Sequence, residues 1–94
     1  MADEPKKIAV LVRERQGEAL RMALGAVLAD DQITVYNIGM QPIEVNDDNN
    51  LNVESLKMMD VPIFSLHSAD SEFETIMMQQ VPEKLLGYDH VIPY

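Results

Sequence analysis

The 94-residue chain has no cysteine and no tryptophan, and only 5% of its residues are aromatic. Without a thiol it forms no disulfide, offers no thiolate to a metal ion and has no cysteine nucleophile, and its redox compartment leaves no mark on it. With so few rings, the core has to be aliphatic, filled out by some of the seven methionines. Positive charge is scarce too: seven lysines and arginines stand against sixteen aspartates and glutamates, a net charge of -9. The deficit is uneven. Lys6, Lys7, Arg13, Arg15 and Arg21 slightly outnumber the acids among residues 1–21, whereas Lys57 and Lys84 alone answer twelve acids in the remainder. Such a surface repels a phosphate backbone, so no nucleic-acid partner is expected.

Long apolar runs are also missing. The stretch 19–29 is broken by Arg21 and Gly25 and falls far short of the roughly 20 residues that cross a bilayer, so no membrane partner is expected. The opening residues Met1-Ala2-Asp3-Glu4-Pro5 are acidic, and the apolar centre of the segment after them is five residues long, too short for a signal-peptide core. A cytoplasmic location is the expectation. The run Asn46-Asp47-Asp48-Asn49-Asn50 lacks the alternating ligands, glycine and closing glutamate of a calcium loop, and is read as solvated loop. Two histidines without planned carboxylate partners give no zinc site, so neither a metal nor a cofactor is expected.

What is present is aliphatic and ordered. An apolar fraction of 47% suits one globular domain spanning residues 1–94. A chain of this size buries only about 60–65% of its unfolded surface, which makes self-association a reasonable expectation. Lys7-Ile8-Ala9-Val10-Leu11-Val12-Arg13 reads as a near-continuous apolar strand, the mark of a parallel strand covered on both faces. In residues 16–29, Leu20, Ala23, Leu24, Val27 and Leu28 recur at helical spacing, with Ala19, Met22 and Ala26 apolar outside that stripe. Asp30-Asp31 makes a turn, residues 33–38 a second strand, and Gly39 its close.

Residues 40–50 then read as loop, and Asn52 as the cap of a short helix through Met59 with Val53, Leu56 and Met59 inward. Residues 61–66 form a third strand. Ser71 and Glu74 have capping-box spacing, which predicts a third helix carrying Phe73, Ile76, Met77 and Gln80 and ended by Pro82. A turn over 83–87 leads to a last strand, 88–94. The order β-α-β-α-β-α-β predicts a three-layer α/β/α fold with a small, mainly parallel sheet. Ligands gather at the carboxyl ends of such strands, here residues 13–17, 39–43 and 66–71.

The first strand leading into Glu18-Ala19-Leu20-Arg21-Met22-Ala23-Leu24, then Ile33-Thr34-Val35-Tyr36-Asn37-Ile38-Gly39, Asp60-Val61-Pro62-Ile63-Phe64 and Tyr88-Asp89-His90-Val91-Ile92-Pro93-Tyr94, resemble the small DsrE-type (DsrE/DsrF-like) proteins of sulfur relay. The likeness spans most of the chain and is carried by apolar strand patterns. It implies a compact α/β/α fold, assembly into trimers or hexamers and, in active members, a persulfide-carrying cysteine near the end of a middle strand. The corresponding neighbourhood here is Ser65-Leu66-His67-Ser68, and a serine cannot carry persulfide. The resemblance therefore describes a cysteine-less member, and its catalytic role passes to no residue of this chain.

Arg13 and Arg15, at the expected carboxyl end of the first strand and before a helix, are the candidates to hold a small anion, with Glu14 and Glu18 near enough to neutralise them. Gly17 alone makes no phosphate cradle. Ser65, His67 and Ser68, followed by Asp70, have the residue types of a nucleophile, base and orienter but not the separation of a triad, and read instead as a polar strand end capping the next helix. Of the pairs Met58, Met59 and Met77, Met78, one member each belongs in the core and the other requires a second cover. The expectation is a non-catalytic binding or assembly module that forms homo-oligomers. The alternatives are an anion-binding protein using Arg13 and Arg15, with Ser65, His67 and Ser68 as further candidate ligand contacts, and an enzyme using His67 as acid or base.

Overall fold

A computed structural model describes residues 6–29 and 31–94. The acidic opening residues and Asp30 of the expected turn lie outside this range. Five parallel strands, β1 (Lys7–Val12), β2 (Gln32–Asn37), β3 (Ile63–Ser65), β4 (Glu74–Thr75) and β5 (His90–Pro93), form one sheet in the order β4-β3-β2-β1-β5. Three helices cover it: α1 (Gln16–Leu28), α2 (Asp47–Met58) and α3 (Val81–Leu85). The α/β architecture read from the strand patterns is the one observed.

The period-two alternation of β1 divides the core. Ile8, Val10 and Val12 join Ile33, Val35 and Ile63 against Ala19, Leu20 and Ala23 of α1 and Val53 and Leu56 of α2. Ala9 and Leu11 point the other way, to Tyr36, Ile76, Val81 and the partly buried Leu85 of α3. Tyr36 stacks on Phe64 with ring centres 5.1 Å apart and meets Tyr88 edge-on at 6.0 Å. The Tyr36 and Tyr88 hydroxyls share a 2.7 Å hydrogen bond. Burial pushes the Tyr36 phenol well above the usual tyrosine range, and the hydrogen bond and charge of Tyr88 push it further.

Several boundaries depart from the sequence reading, each for a local reason. The segment 46–50 is not all loop: Asn46 is extended at the cap position and accepts the Asn49 N–H through its side chain at 2.8 Å, so α2 begins at Asp47, with Asp47 and Asp48 favourably placed in its first turn. The cap is therefore Asn46 and not Asn52. The helix closes through a Schellman turn in which Asp60 N donates to Lys57 O and Val61 N to Leu56 O, with Asp60 left-handed at φ 60°.

The third helix expected from Ser71 does not form. Ile76 N donates to Ser65 O, and Glu74 and Thr75 add a short edge strand to β3 instead. Pro82 opens α3 rather than ending a helix, because its missing N–H costs nothing in a first turn; a 3-10 turn, Met78–Gln80, precedes it. The stretch 83–87 is accordingly part helix. The methionine pairs also differ from expectation: Met58, Met59, Met77 and Met78 are all exposed, and Leu28 has left the buried stripe of α1.

Candidate functional site

From β1 the chain steps outward through β2, β3 and β4, with α1 and α2 on one face. It then returns across the other face with α3 to lay β5 on the far side of β1. The direction of winding reverses between β1 and β5, and the crevice at the carboxyl ends of two such strands is where open parallel sheets receive ligands. Arg13 follows β1 at that point.

The ends of β1 and β2 are pressed together. Ile38 N and Gly39 N both donate to Val12 O at 3.0 Å, and a Cβ on Gly39 would fall onto the Arg13 carbonyl oxygen and within 2.9 Å of its Cα. Only glycine allows this approach. The loop after Gly39 is then pinned from three sides. Gln16 at the head of α1 donates its amide to Pro42 O at 2.9 Å and accepts Glu44 N at 2.8 Å. Asn49, buried in α2, donates to Glu44 O at 3.0 Å. Asp70, buried after β3, accepts Ile43 N at 2.9 Å.

Asp70 does more than hold the loop. Its Oδ2 accepts the Ser65 hydroxyl at 2.6 Å and the Asn37 side-chain amide at 3.0 Å, and both of those residues are wholly buried at the ends of β3 and β2. Asn37 also donates to Gln41 O, and Ser65 Oγ accepts His67 N at 3.0 Å. Every partner is used internally, as buried polar groups require. The His67 imidazole lies elsewhere, with Nε2 2.7 Å from Gly39 O.

Ser65, His67 and Asp70 thus converge without making a triad, because the imidazole is bonded to Gly39 O and the aspartate holds the serine directly. Asp70 caps a loop, not the helix expected after it. Ser68 is exposed beside this cluster.

Beside a crevice of about 610 Å³ between α2 and residues 69–73, two crevices that include Arg13 open at the strand ends. The larger, about 910 Å³, has Ile38, Met40, Pro42 and Ile43 along its apolar wall and Arg13, Glu14 and Glu44 among its charged groups. The smaller, about 350 Å³, lies at the β1–β5 reversal between Arg13, Glu14, Arg15, Pro93 and Tyr94. Arg13 and Arg15 are therefore brought together, whereas Ser65, His67 and Ser68 line neither crevice.

Arg13 makes no ion pair among the described residues, and Arg15 sits 3.6 Å from Glu18 on the open surface, a pairing that contributes at most about 1 kcal/mol. The amides of Glu14 and Arg15 are already spent on Tyr94 O, at 3.2 and 2.9 Å. Among the described residues no cluster of histidine, aspartate and glutamate is arranged to hold a metal, and no helix is long and apolar enough to cross a membrane.

The sequence reading named residues 13–17, 39–43 and 66–71 at the strand ends but gave Gln16, Asn37 and Asn49 no part in fixing the loop. Their signal was present only as amide side chains next to strand or helix ends, the usual place for side-chain bonds to loop backbone. No protein-family model matches the chain, and no curated protein matches it in sequence.

Proposed function

We propose that this chain is a DsrE-like binding and assembly module that performs no covalent chemistry of its own and associates with its own copies, as a trimer or hexamer by analogy with the family it resembles. Its link to sulfur metabolism rests on that resemblance. The observation that carries the reading is the commitment of Ser65: where active relatives would present a thiol, this serine is wholly buried and donates its hydroxyl hydrogen bond to Asp70. A residue so placed builds the strand end and attacks nothing. The His67 imidazole, turned to Gly39 O, has no hydroxyl to activate.

Self-association is supported by the apolar side chains left outside the two cores. Leu28, Met58 and Leu86 are 69%, 79% and 85% exposed, and a partner copy is one way to cover such side chains. The second reading, a binder of small anions, is favoured by one placement, that of Arg13 and Arg15 in the same crevice at the reversal of the sheet.

Native mass spectrometry with bound species retained tests both. The expected result is a mass several times 10.6 kDa, and a strictly monomeric mass at micromolar protein removes the assembly reading. Retention of a small species that Arg13→Ala abolishes supports the binding reading, and unchanged retention eliminates the arginine site.

A further inference from the structure

We propose that the two crevices meeting at Arg13 form one site for a small amphipathic monocarboxylate, its carboxylate held by Arg13 and Arg15 and its hydrocarbon body lying over Ile38, Met40, Pro42 and Ile43. The inference rests on the binding reading above and adds the chemistry of the ligand. Both crevices include Arg13 and Glu14 in their walls, so the apolar cleft and the arginine crevice adjoin at the carboxyl end of β1. At about 910 and 350 Å³ they fall within the usual range for small-ligand sites.

Charge selects the head group. Arg13 has no carboxylate partner among the described residues, and the exposed pair of Arg15 with Glu18 exchanges readily for a better acceptor. Planar guanidinium forks match the two oxygens of a carboxylate. Glu14 and Glu44 stand in the same walls, and their repulsion penalises a doubly charged group such as phosphate more than a single carboxylate. The start of α1 is not recruited, since the Glu14 and Arg15 amides already hold Tyr94 O.

Shape selects the body. The apolar wall belongs to the loop that Gln16, Asn49 and Asp70 pin in place, so it is organised before a ligand arrives. Met40, 93% exposed at the cleft, supplies an adaptable side chain that gains cover when a hydrocarbon chain enters.

The test uses three probes on the whole protein, octanoate, octanol and inorganic phosphate, by titration calorimetry and by methyl NMR of the isoleucines and methionines. Octanoate is expected to saturate one site, shift the Ile38, Met40 and Ile43 methyls, and bind at least about tenfold more tightly than either other probe. Arg13→Ala is expected to weaken octanoate at least about tenfold, and Arg13→Lys less, since charge survives without the fork. The Arg13 side chain is exposed, so an unchanged unfolding temperature verifies that the variants fold.

Octanol equal to octanoate overturns the role of the arginines. Phosphate equal to octanoate, or silent wall methyls, overturns the apolar half. Failure of octanoate to bind overturns the inference, and the binding reading survives it only when native mass still shows a retained species that Arg13→Ala abolishes.

Discussion

Ser65 Oγ donates to Asp70 Oδ2 across 2.6 Å inside the protein, and that bond joins the end of β3 to the loop lining the main cleft, because Asp70 Oδ1 accepts Ile43 N. A serine that packing and hydrogen bonding both enclose is a structural part. Removing its acceptor strands the donors on Asn37, Ser65 and Ile43, each costing about 1–3 kcal/mol, so Asp70→Ala is expected to destabilise the fold by at least about 3 kcal/mol in urea unfolding. Ser65→Cys places a thiol at the position suggested by the family likeness. It is expected to stay unreactive to a thiol reagent in the native protein, whereas exposed Ser68→Cys reacts at once; equal rates would show that the β3 end is open.

Stability is expected to fall in alkali through Tyr36. Burial first, then the hydrogen bond and charge of Tyr88, hold its phenol protonated above the usual range. The folded chain thus keeps this proton more tightly than the unfolded chain, where tyrosine titrates near pH ~10. The stabilisation is whole below that pH and is lost as pH rises toward the folded-state value. Urea midpoints measured from about pH 8 to 11 should decline, and Tyr36→Phe, which loses a hydrogen bond of about 1 kcal/mol, should decline less steeply.

The two ends of α2 respond oppositely to substitution. Asn46→Ala removes the side-chain cap of Asn49 N and is expected to cost about 1 kcal/mol. Asp60 occupies the left-handed position of the Schellman turn, where glycine pays no steric penalty, so Asp60→Gly is expected to gain about 0.5–1 kcal/mol. For a domain of this size each change moves the unfolding temperature by roughly 4–8 °C per kcal/mol.

Gly39→Ala is expected to be among the most damaging single-atom additions, at about 2 kcal/mol or more, because the new Cβ meets the Arg13 backbone and not a side chain that can swing away. Gly25→Ala is the control: nothing lies within 4 Å of its Cβ position, the residue is in α1, and alanine is expected to stabilise the helix by about 0.5–1 kcal/mol. Thermal unfolding of the two variants should therefore move in opposite directions.

Legibility in the sequence followed the range of the interactions involved. The first strand was readable because its two-sided buried part, residues 8–12, is apolar at every position. The helix after it was readable because its apolar spacing is local. The capping-box spacing of Ser71 and Glu74 misled, since pairing of Glu74 and Thr75 with β3 outweighs a weak local preference. Asn46 was misread for the reverse reason: five consecutive polar residues look like loop, yet the first of them caps a helix whose inward residues come later.

At the candidate site, Arg13 and Arg15 were identifiable from their place after an apolar strand, but nothing in the sequence put Pro93 and Tyr94 beside them. Likewise Asn37, Ser65 and Asp70 are separated by as many as 33 positions and meet only because β2 and β3 are neighbours.

The sequence by itself determined the class of the fold, the acidic character of its surface and the loss of all thiol chemistry, since periodicity, charge and residue type need no partner to have effect. Only the tertiary structure decided that β5 crosses to the far side of β1, that Ser65 is enclosed and that Arg13 joins two crevices. Those outcomes depend on which distant segments pair in the sheet, and backbone pairing between distant segments leaves no periodic trace in either of them.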